Sequence, residues 1–355
     1  MNGTYPRLLI DPGRIEENTR TIADIAADQN IEIAGVTKAT CGDPEVASAM
    51  LRGGAATIAE SRVKNLKRLR DNGIEAPLML LRTPMLSEVD DVVELADVSL
   101  NSEIRVMEAL SEASLRRDRV HGVIPMVEMG EIREGMNIEE LLPAVVRILD
   151  LKGLELRGIG MNLACLSGVI PTAEKMIMFD SVVESIEEET GERLKVVSGG
   201  NSANIPGLLE RVPQGRTDQL RIGEGILLGL ETVNRTPIPG THQDAFVLEA
   251  EVIERKRKPS VPDGKLTQNA FGEMPTFEDK GIQERAICAV GRQDVIVEDL
   301  RPVDIDHEII GSSSDHIVLD VGSRGPGVGD IVKFTPRYGA LVHLCTSPFV
   351  KKVYV

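Results

Sequence analysis

The chain has 355 residues, of which 42% are apolar and 27% are charged, enough for two domains or for one large barrel with an appendage. Asp and Glu total 56 against 40 Lys and Arg, which gives a formal net charge of −16, and only 3% of the residues are aromatic. A nucleic-acid-binding protein needs a basic face and often aromatic side chains that stack on bases, so this composition argues against that class.

Eight predicted strands, mostly separated by helical patterns, occupy the first two-thirds of the chain. They are Ile31–Thr37, Ala56–Ala59, Leu78–Leu81, Val98–Leu100, Val123–Val127, Leu156–Met161, Leu194–Val197 and Gln219–Ile222. Helix starts are marked by Asp43, which precedes a proline, and by Ser87, which precedes an acidic turn. One helix face is formed by Met176, Phe179, Val183 and Ile186. Eight strand–helix units in about 200–250 residues predict a closed (β/α)8 barrel of the TIM type.

The pattern changes after Leu230, where the turn-rich segment Thr236–Gly240 interrupts the alternation. The remainder is predicted to form short strands, namely Phe246–Ile253, Ala286–Val290, Ile317–Leu319 and Ile331–Phe334. We therefore expect an α/β barrel domain over residues 1–235 and an all-β C-terminal domain over residues 236–355. An alternative assigns the extreme N-terminal strand to the second domain.

The four cysteines, at positions 41, 165, 288 and 345, are far apart and form no C-x-x-C pair. This spacing predicts neither a zinc ribbon nor a disulfide framework. The N-terminus lacks the pattern of a signal peptide, and no window approaches the roughly 18 apolar residues of a membrane span. A cytoplasmic protein that binds no membrane is expected.

Chemistry is expected where barrel strands end. Lys38 follows the first barrel strand, and apolar walls around it would favour a neutral amine that can attack an aldehyde. The small residues of Ser198–Ala203 and of Leu220–Ile226 would let backbone N–H groups approach a phosphate. Each feature alone has a simpler interpretation: Lys38 as a solvated lysine, and each glycine-containing segment as an ordinary turn. Their combination on the first strand and the last two indicates a functional site.

Three segments carry a resemblance to a known family: Val36–Ala39 (VTKA), Gly200–Ala203 (GNSA) and Leu220–Gly223 (LRIG). They resemble the alanine-racemase-type, fold-type III pyridoxal-phosphate enzymes. Cys41–Ala47 (CGDPEVA) and Gly291–Val295 (GRQDV) resemble the ornithine racemase branch in particular. The resemblance covers nearly the whole chain and implies a pyridoxal 5'-phosphate-dependent isomerase.

The resemblance also implies roles for residues around the cofactor ring. Lys38 would bind the cofactor aldehyde and act as a catalytic base. Arg221 would lie against the pyridine nitrogen, where a guanidinium, which gives up no proton, keeps that nitrogen unprotonated. Arg133 would lie beneath the ring hydroxyl, and Asn162 would replace a histidine that contacts the ring.

A second group of residues would hold the phosphate. The resemblance assigns this role to the Ser202 hydroxyl and to the backbone at Gly223 and Glu224, and Asn201 is counted with them as a cofactor-binding residue. No metal ligand is implied.

The sequence departs from the alanine racemases at the second proton-transfer residue, a tyrosine in their β-domain. The nearest segment here is Asn269–Gly272 (NAFG), and Phe271 cannot move a proton. Tyr338 is taken as the catalytic partner of Lys38. The spacing does not decide among the other candidates, which are Cys288, Cys345, His343 and Asp294.

A second departure concerns the substrate. The tyrosine four residues after the cofactor lysine is replaced by Gly42, which is expected to enlarge the site for a longer side chain. Asp294 and Glu273 would then bind a distal ammonium, as in ornithine or another basic amino acid. The alternative is that both are ordinary surface carboxylates.

Two other functions remain open beside an amino-acid racemase. A metal-assisted pyridoxal-phosphate lyase or aldolase of D-hydroxyamino acids would need a metal, and His343 and Cys345 have a usable spacing. A non-catalytic pyridoxal-phosphate-binding protein would end with the barrel, whereas this chain continues. The resemblance further implies a homodimer, because the loop Gly291–Asp294 reaches the partner's site in such racemases.

Overall fold

The computed structural model describes residues 4–355. It divides into two compact units: Pro12–Gln243, and Asp244–Val355 together with the N-terminal segment that ends at Asp11. The larger unit ends eight residues later than the boundary expected at residue 235. The added segment is held to the preceding turn, because the Ile238 N–H donates to the Gly229 carbonyl at 2.9 Å.

The larger unit contains nine strands and nine helices among the described residues, whereas β1 (Arg7–Ile10) belongs to the smaller unit. Its strands are β2 (Glu32–Val36), β3 (Thr57–Glu60), β4 (Leu78–Leu80), β5 (Val98–Asn101), β6 (His121–Pro125), β7 (Leu154–Leu156), β8 (Gly158–Gly160), β9 (Val196–Asn201) and β10 (Gln219–Ile222). Its helices are α1 (Pro12–Ala27), α2 (Pro44–Arg52), α3 (Val63–Asp71), α4 (Val89–Leu95), α5 (Ile104–Arg116), α6 (Ile138–Leu149), α7 (Ala173–Thr190), α8 (Ile205–Leu209) and α9 (Glu224–Leu228).

The strands form one parallel sheet in the order β7-β6-β5-β4-β3-β2-β10-β9-β8. A parallel bridge between Met126 and Gly160 joins the end of β6 to β8 and closes the barrel. Its interior is a cluster of small and apolar side chains, formed by Ala34, Val36, Ala59, Met79, Leu100, Ile124 and Met126. The predicted (β/α)8 barrel is confirmed.

Two local predictions for the barrel differ from the structure. The strand expected over Leu156–Met161 is two short strands, because the chain changes neighbours at Arg157: its N–H bonds to the Val123 carbonyl of β6, and its carbonyl accepts from the Val196 N–H of β9. The helix expected after Ser87 begins only at Val89, since a short 3-10 turn comes first. The start predicted at Asp43 is confirmed, and its carboxylate accepts the first free N–H groups of α2.

The smaller unit is a mainly antiparallel sheet, as expected for an all-β domain, with one helix; only β1 and β17 pair in parallel among its described strands. Its strands are β1, β11 (Phe246–Pro259), β12 (Ile282–Cys288), β13 (Leu300–Pro302), β14 (Glu308–Ser312), β15 (Ile317–Asp320), β16 (Ile331–Pro336) and β17 (Lys351–Tyr354), and its helix is α10 (Tyr338–Thr346). β1 pairs with β11 and β17, so the N-terminal strand does return to this unit. The sequence analysis missed β13, β14, β17 and α10. Short edge strands and an apolar helix carry little periodicity of their own.

Candidate active site

The residues predicted for the site lie where barrel strands end. Lys38 follows β2 by two positions, Asn201 is the last residue of β9, and Gly223 follows β10 directly. Because β10 pairs with β2 on one side and with β9 on the other, these three segments meet at one end of the barrel. This is the end at which barrels carry their functional groups.

Lys38 is the first residue of a one-turn 3-10 helix, Lys38–Thr40, and is exposed. The expectation that apolar walls surround its ammonium is therefore wrong. The reason is positional: β2 ends at Val36, and Lys38 lies beyond the packed interior that Val36 and Ala59 share. The amine is thus accessible to an aldehyde from outside.

The segments that end β9 and β10 form a small-residue cradle. Ser202 is buried, and its Oγ accepts a hydrogen bond from the Gly225 N–H at 3.2 Å, which leaves its own hydroxyl hydrogen to donate. A Cβ at Gly223 would come within 3.2 Å of a β2 side chain. The Glu224 side chain is occupied by an ion pair with Arg235, so this residue can offer a ligand only its backbone N–H at the start of α9.

Arg221 is fixed beneath this cradle and is only 5% exposed. Its Nη1 donates to the Ser198 carbonyl at 3.0 Å and to the Ser198 hydroxyl at 2.5 Å. Its Nη2 donates to the Met161 carbonyl at 2.7 Å and, at 3.4 Å, to Oδ1 of Asn162. Burial, together with the nearby charge of Arg133, lowers the pKa of Arg221 to about 10. The group remains a cation at neutral pH.

The Asn162 amide joins two of these segments and leaves one donor unused. Its Oδ1 accepts a hydrogen bond from Nδ2 of Asn201 at 3.0 Å, and Asn201 also donates to the Leu163 carbonyl at 2.7 Å. Nδ2 of Asn162 is buried without a hydrogen-bond partner. A buried donor without a partner is costly in a native structure, so it marks a place where a ligand acceptor would be stabilised.

Arg133 lies in the loop between β6 and α6. Its Nη1 donates to Sγ of Cys165 at 2.8 Å, and its Nη2 donates to Glu134 at 2.5 Å. The loop that follows β8 therefore meets the loop that follows β6 at this arginine. The sequence analysis did not select Cys165, because its partner lies 32 residues away in the chain.

Glu131 is a second residue that the sequence analysis missed. It is 2% exposed, and its Oε1 accepts hydrogen bonds from the N–H groups of Cys165 at 2.6 Å, Leu166, and Ser167 at 3.1 Å. Burial raises the pKa of Glu131, but these backbone donors hold it below its usual value. The next residue, Ile132, has a φ of +50°, a left-handed conformation that is rare for a β-branched side chain. The carboxylate thus holds the loop that carries Cys165.

The residues at this barrel end fit pyridoxal phosphate. Lys38 offers an accessible amine for the aldehyde, and the Ser202 cradle offers donors for the phosphate. The unused Asn162 donor and the cations Arg221 and Arg133 suit the polar, anionic ring substituents.

Gly42 does not leave the open space that the sequence analysis expected. Its φ is +61°, and a Cβ there would lie 2.8 Å from the Cβ of Asn65 and 3.0 Å from its carbonyl oxygen. The first turn of α3 therefore fills the volume next to Gly42. A longer substrate must find its room elsewhere.

The β-domain residues predicted to bind substrate already have partners. Asp294 is 5% exposed and accepts a hydrogen bond from the Ser347 hydroxyl at 2.6 Å. Glu273 is exposed, and Arg292, which donates to it at 2.9 Å, holds the pKa of that carboxyl below its usual value. The same Arg292 guanidinium lies 4.5 Å from the ring centre of Phe271.

The candidates for a second proton-transfer group differ in accessibility. Burial raises the pKa of the Cys288 thiol to about 12, and Cys345 is also buried. His343 is exposed, and Tyr338 is half-buried at the start of α10. Among the described residues, no group of three or more His, Cys, Asp or Glu side chains could hold a metal ion.

Fold and site together define a barrel protein whose strand-end lysine, small-residue cradle and buried arginine suit an aldehyde cofactor. Residues 10–230 match the family model for the alanine racemase N-terminal domain, and the chain belongs to this family. Enzymes of the family use pyridoxal phosphate. No helix between residues 4 and 355 is long and apolar enough to cross a membrane.

Two relatives of known activity match nearly the whole chain. The chain is 43% identical over 352 residues to a lysine racemase of Thermotoga maritima, covering 99% of this chain and 98% of that one. It is 39% identical over 353 residues to an ornithine racemase of Acetoanaerobium sticklandii, covering 98% and 99%. The fold matches alanine racemase from Bartonella henselae with covalently bound pyridoxal phosphate, at a TM-score of 0.75 and 18% identity over 99% of this chain and 100% of that one.

Proposed function

We propose that this protein is a pyridoxal-phosphate-dependent racemase that interconverts the L and D forms of a basic amino acid, lysine or ornithine. The observation that carries the proposal is the end-to-end similarity, at 43% and 39% identity, to a lysine racemase and an ornithine racemase. The barrel end described above supports the proposal, because this end combines an accessible lysine with the small-residue cradle and a buried arginine.

The bound cofactor would supply an electron sink for the pair left at Cα when the substrate loses its proton. Lys38 would hold the cofactor and take or return the Cα proton on one face of the substrate. Ser202 and the backbone at Gly223 would donate hydrogen bonds to the phosphate. Ser198 and Met161 hold Arg221 in place. Because its guanidinium can only donate hydrogen bonds, Arg221 would keep the pyridine nitrogen unprotonated.

The second proton-transfer residue is proposed to be Tyr338. Its half-buried position supports this choice over Cys288, whose raised pKa disfavours the thiolate. The replacement Tyr338→Phe should abolish proton exchange on one face only. An unchanged rate of racemisation in this variant would transfer the role to another of the open candidates.

A carboxylate of the β-domain is proposed to bind the distal ammonium of the substrate. Between the two candidates, the exposure of Glu273 supports it over Asp294, which is buried and bonded to Ser347. Glu273 is paired with Arg292 and would share its charge between that guanidinium and the substrate. The ammonium needs such a partner, because it loses water on entry.

We also propose a homodimer located in the cytoplasm. Large apolar side chains are exposed on the loops at the barrel end, at Ile132 and Leu166, and on the long β-domain loop, at Met274. Such side chains are typically covered in a protein interface. Light scattering at assay concentration should give twice the monomer mass, and an active monomer would contradict the dimer. The cysteine spacing, which lacks a disulfide framework, supports the cytoplasmic location.

The experiment that tests the function uses deuterium. The holoenzyme is incubated in D2O with L-lysine, L-ornithine or L-alanine, and the chirality and Cα deuteration of each amino acid are recorded. With the wild-type enzyme, a basic amino acid should racemise and take up deuterium at Cα. With Lys38→Ala, neither racemisation nor deuterium uptake should occur. Borohydride reduction and peptide mapping should place the cofactor on Lys38. A protein that binds the cofactor but cleaves D-hydroxyamino acids only with a divalent cation would favour the lyase alternative.

A further inference from the structure

Glu60 is a buried carboxyl group next to the site, and the function proposed above does not use it. It is the last residue of β3 and is 0% exposed. Burial raises its pKa, although neighbouring donors oppose this effect. A buried carboxyl is costly unless hydrogen bonds compensate it, so its partners indicate what it does.

The two oxygens of Glu60 join two segments of chain. Oε1 accepts from the backbone N–H of Ser61 at 2.5 Å and, at 3.3 Å, from that of Arg62, just before α3. Oε2 accepts from the Thr37 hydroxyl at 3.2 Å, and the Asn65 side chain adds a further bond. The carboxyl therefore ties the start of α3 to the residue that immediately precedes Lys38.

Thr37 in turn holds the whole turn that carries Lys38. It is fully buried, and its N–H donates to the Ala59 carbonyl of β3 at 3.0 Å. Its carbonyl accepts from the Thr40 N–H at 2.9 Å, from the Thr40 hydroxyl at 3.0 Å and from the Gly42 N–H at 3.2 Å. Because Lys38 itself is exposed, the path of this backbone turn sets the point from which its side chain starts.

We propose that Glu60 is a positioning residue for Lys38, which acts by fixing the Thr37 hydroxyl and thereby the Lys38–Thr40 turn. The proposal rests on the function proposed above, in which Lys38 holds the cofactor. Misplacing a reacting group by about 1 Å costs about 100-fold in rate, so even a small shift of this turn is measurable.

The test compares three changes with a matched control. Thr37→Val keeps the side-chain volume and removes only the hydroxyl, Glu60→Ala removes the carboxyl, and Glu60→Gln keeps a group that can donate to Thr37 and accept from the backbone. The control is Glu231→Ala, since Glu231 is also buried and also accepts backbone N–H groups, those of Val233 and Asn234 among them. For each variant we would measure the thermal midpoint of the apoprotein, the rate of covalent cofactor attachment by absorbance, and kcat and KM.

Thr37→Val and Glu60→Ala should slow both cofactor attachment and kcat by about 10- to 100-fold with little change in KM. Their effects should not multiply in the double variant, because they break one contact. Glu60→Gln, in which the bond to Thr37 would run from the amide to the hydroxyl oxygen, should lose less than Glu60→Ala, and Glu231→Ala should lower only the thermal midpoint. A folded Thr37→Val with wild-type attachment and kcat would overturn the proposal, and so would equal losses in Glu60→Ala and Glu231→Ala. A wild-type protein that never attaches the cofactor to Lys38 would instead refute the proposed function, and the positioning role with it.

Discussion

His121 should make the stability of the barrel fall in mild acid. It is the first residue of β6, is 2% exposed, and its Nε2 lies 2.8 Å from the Ser99 hydroxyl. Burial lowers its pKa to about 4, although the Ala96 carbonyl and the Asp97 charge act in the opposite direction. In the unfolded chain the pKa returns to about 6.5.

The sign and the size of the effect follow from this difference. Because the folded pKa is the lower one, the unfolded state binds a proton first as the pH falls. The stability that the neutral imidazole provides is complete above pH ~6.5 and is lost progressively down to pH ~4. A shift of about 2.5 pH units corresponds to about 3 kcal/mol in the free energy of unfolding. This is a large part of the stability of an ordinary domain.

Urea unfolding at several pH values between 7 and 4 provides the assay. His121→Asn should be less stable than wild type at pH 7, because it loses packing. Between pH 7 and pH 4, however, its free energy of unfolding should decrease by about 3 kcal/mol less than that of wild type. The control His343→Asn changes an exposed imidazole of the smaller unit, and the reasoning requires a change in pH dependence that is specific to His121→Asn. Parallel curves for wild type and His121→Asn would refute the reasoning, whatever their absolute offset.

Three further predictions concern the site. Arg221→Met removes the donor to the buried Met161 carbonyl, whereas the Ser198 carbonyl keeps the Met161 N–H at 3.0 Å, so urea unfolding should show a loss of about 1–3 kcal/mol, and an unchanged free energy of unfolding would contradict the network. Glu131→Ala should speed hydrogen exchange of the amides of residues 165–167 well beyond that of the surrounding barrel; unchanged protection would show that the carboxylate does not hold this loop. Glu273→Gln should lower kcat/KM several-fold for lysine but not for norleucine, and equal losses for both would remove Glu273 from substrate recognition.

The barrel was predictable because its signals are local. Apolar strands recur at regular spacing, and Asp43 before Pro44 marks a helix start that needs no distant partner. The division of one expected strand into β7 and β8 was not predictable, because Arg157 bonds to Val123 of β6 with its N–H and to Val196 of β9 with its carbonyl, 34 and 39 residues away. α10 was missed for a related reason, since its apolar run has no clear polar face.

The site shows the same division between local and distant information. Lys38, Ser202 and Arg221 stand in recognisable segments, and the structure brings their strands together. Glu60 and Glu131 stand in no motif, and each has a hydrogen-bond partner on another segment of the chain, Thr37 for Glu60 and Cys165 for Glu131. The space near Gly42 was misjudged for this reason as well, because α3 rather than solvent lies beside it.

The charged groups at the barrel end bear on where the substrate side chain is recognised. Lys38, Arg133 and Arg221 place three cations at this end, which suit a phosphate and the α-carboxylate of an amino acid. The acidic side chains of the loop after β6 are already engaged, Glu128 by the N–H groups of residues 130 and 132, Glu131 by those of residues 165–167, and Glu134 by Arg133. On the function proposed above, Glu273, an exposed carboxylate of the β-domain, is therefore the candidate to test for the choice between a basic and a neutral amino acid.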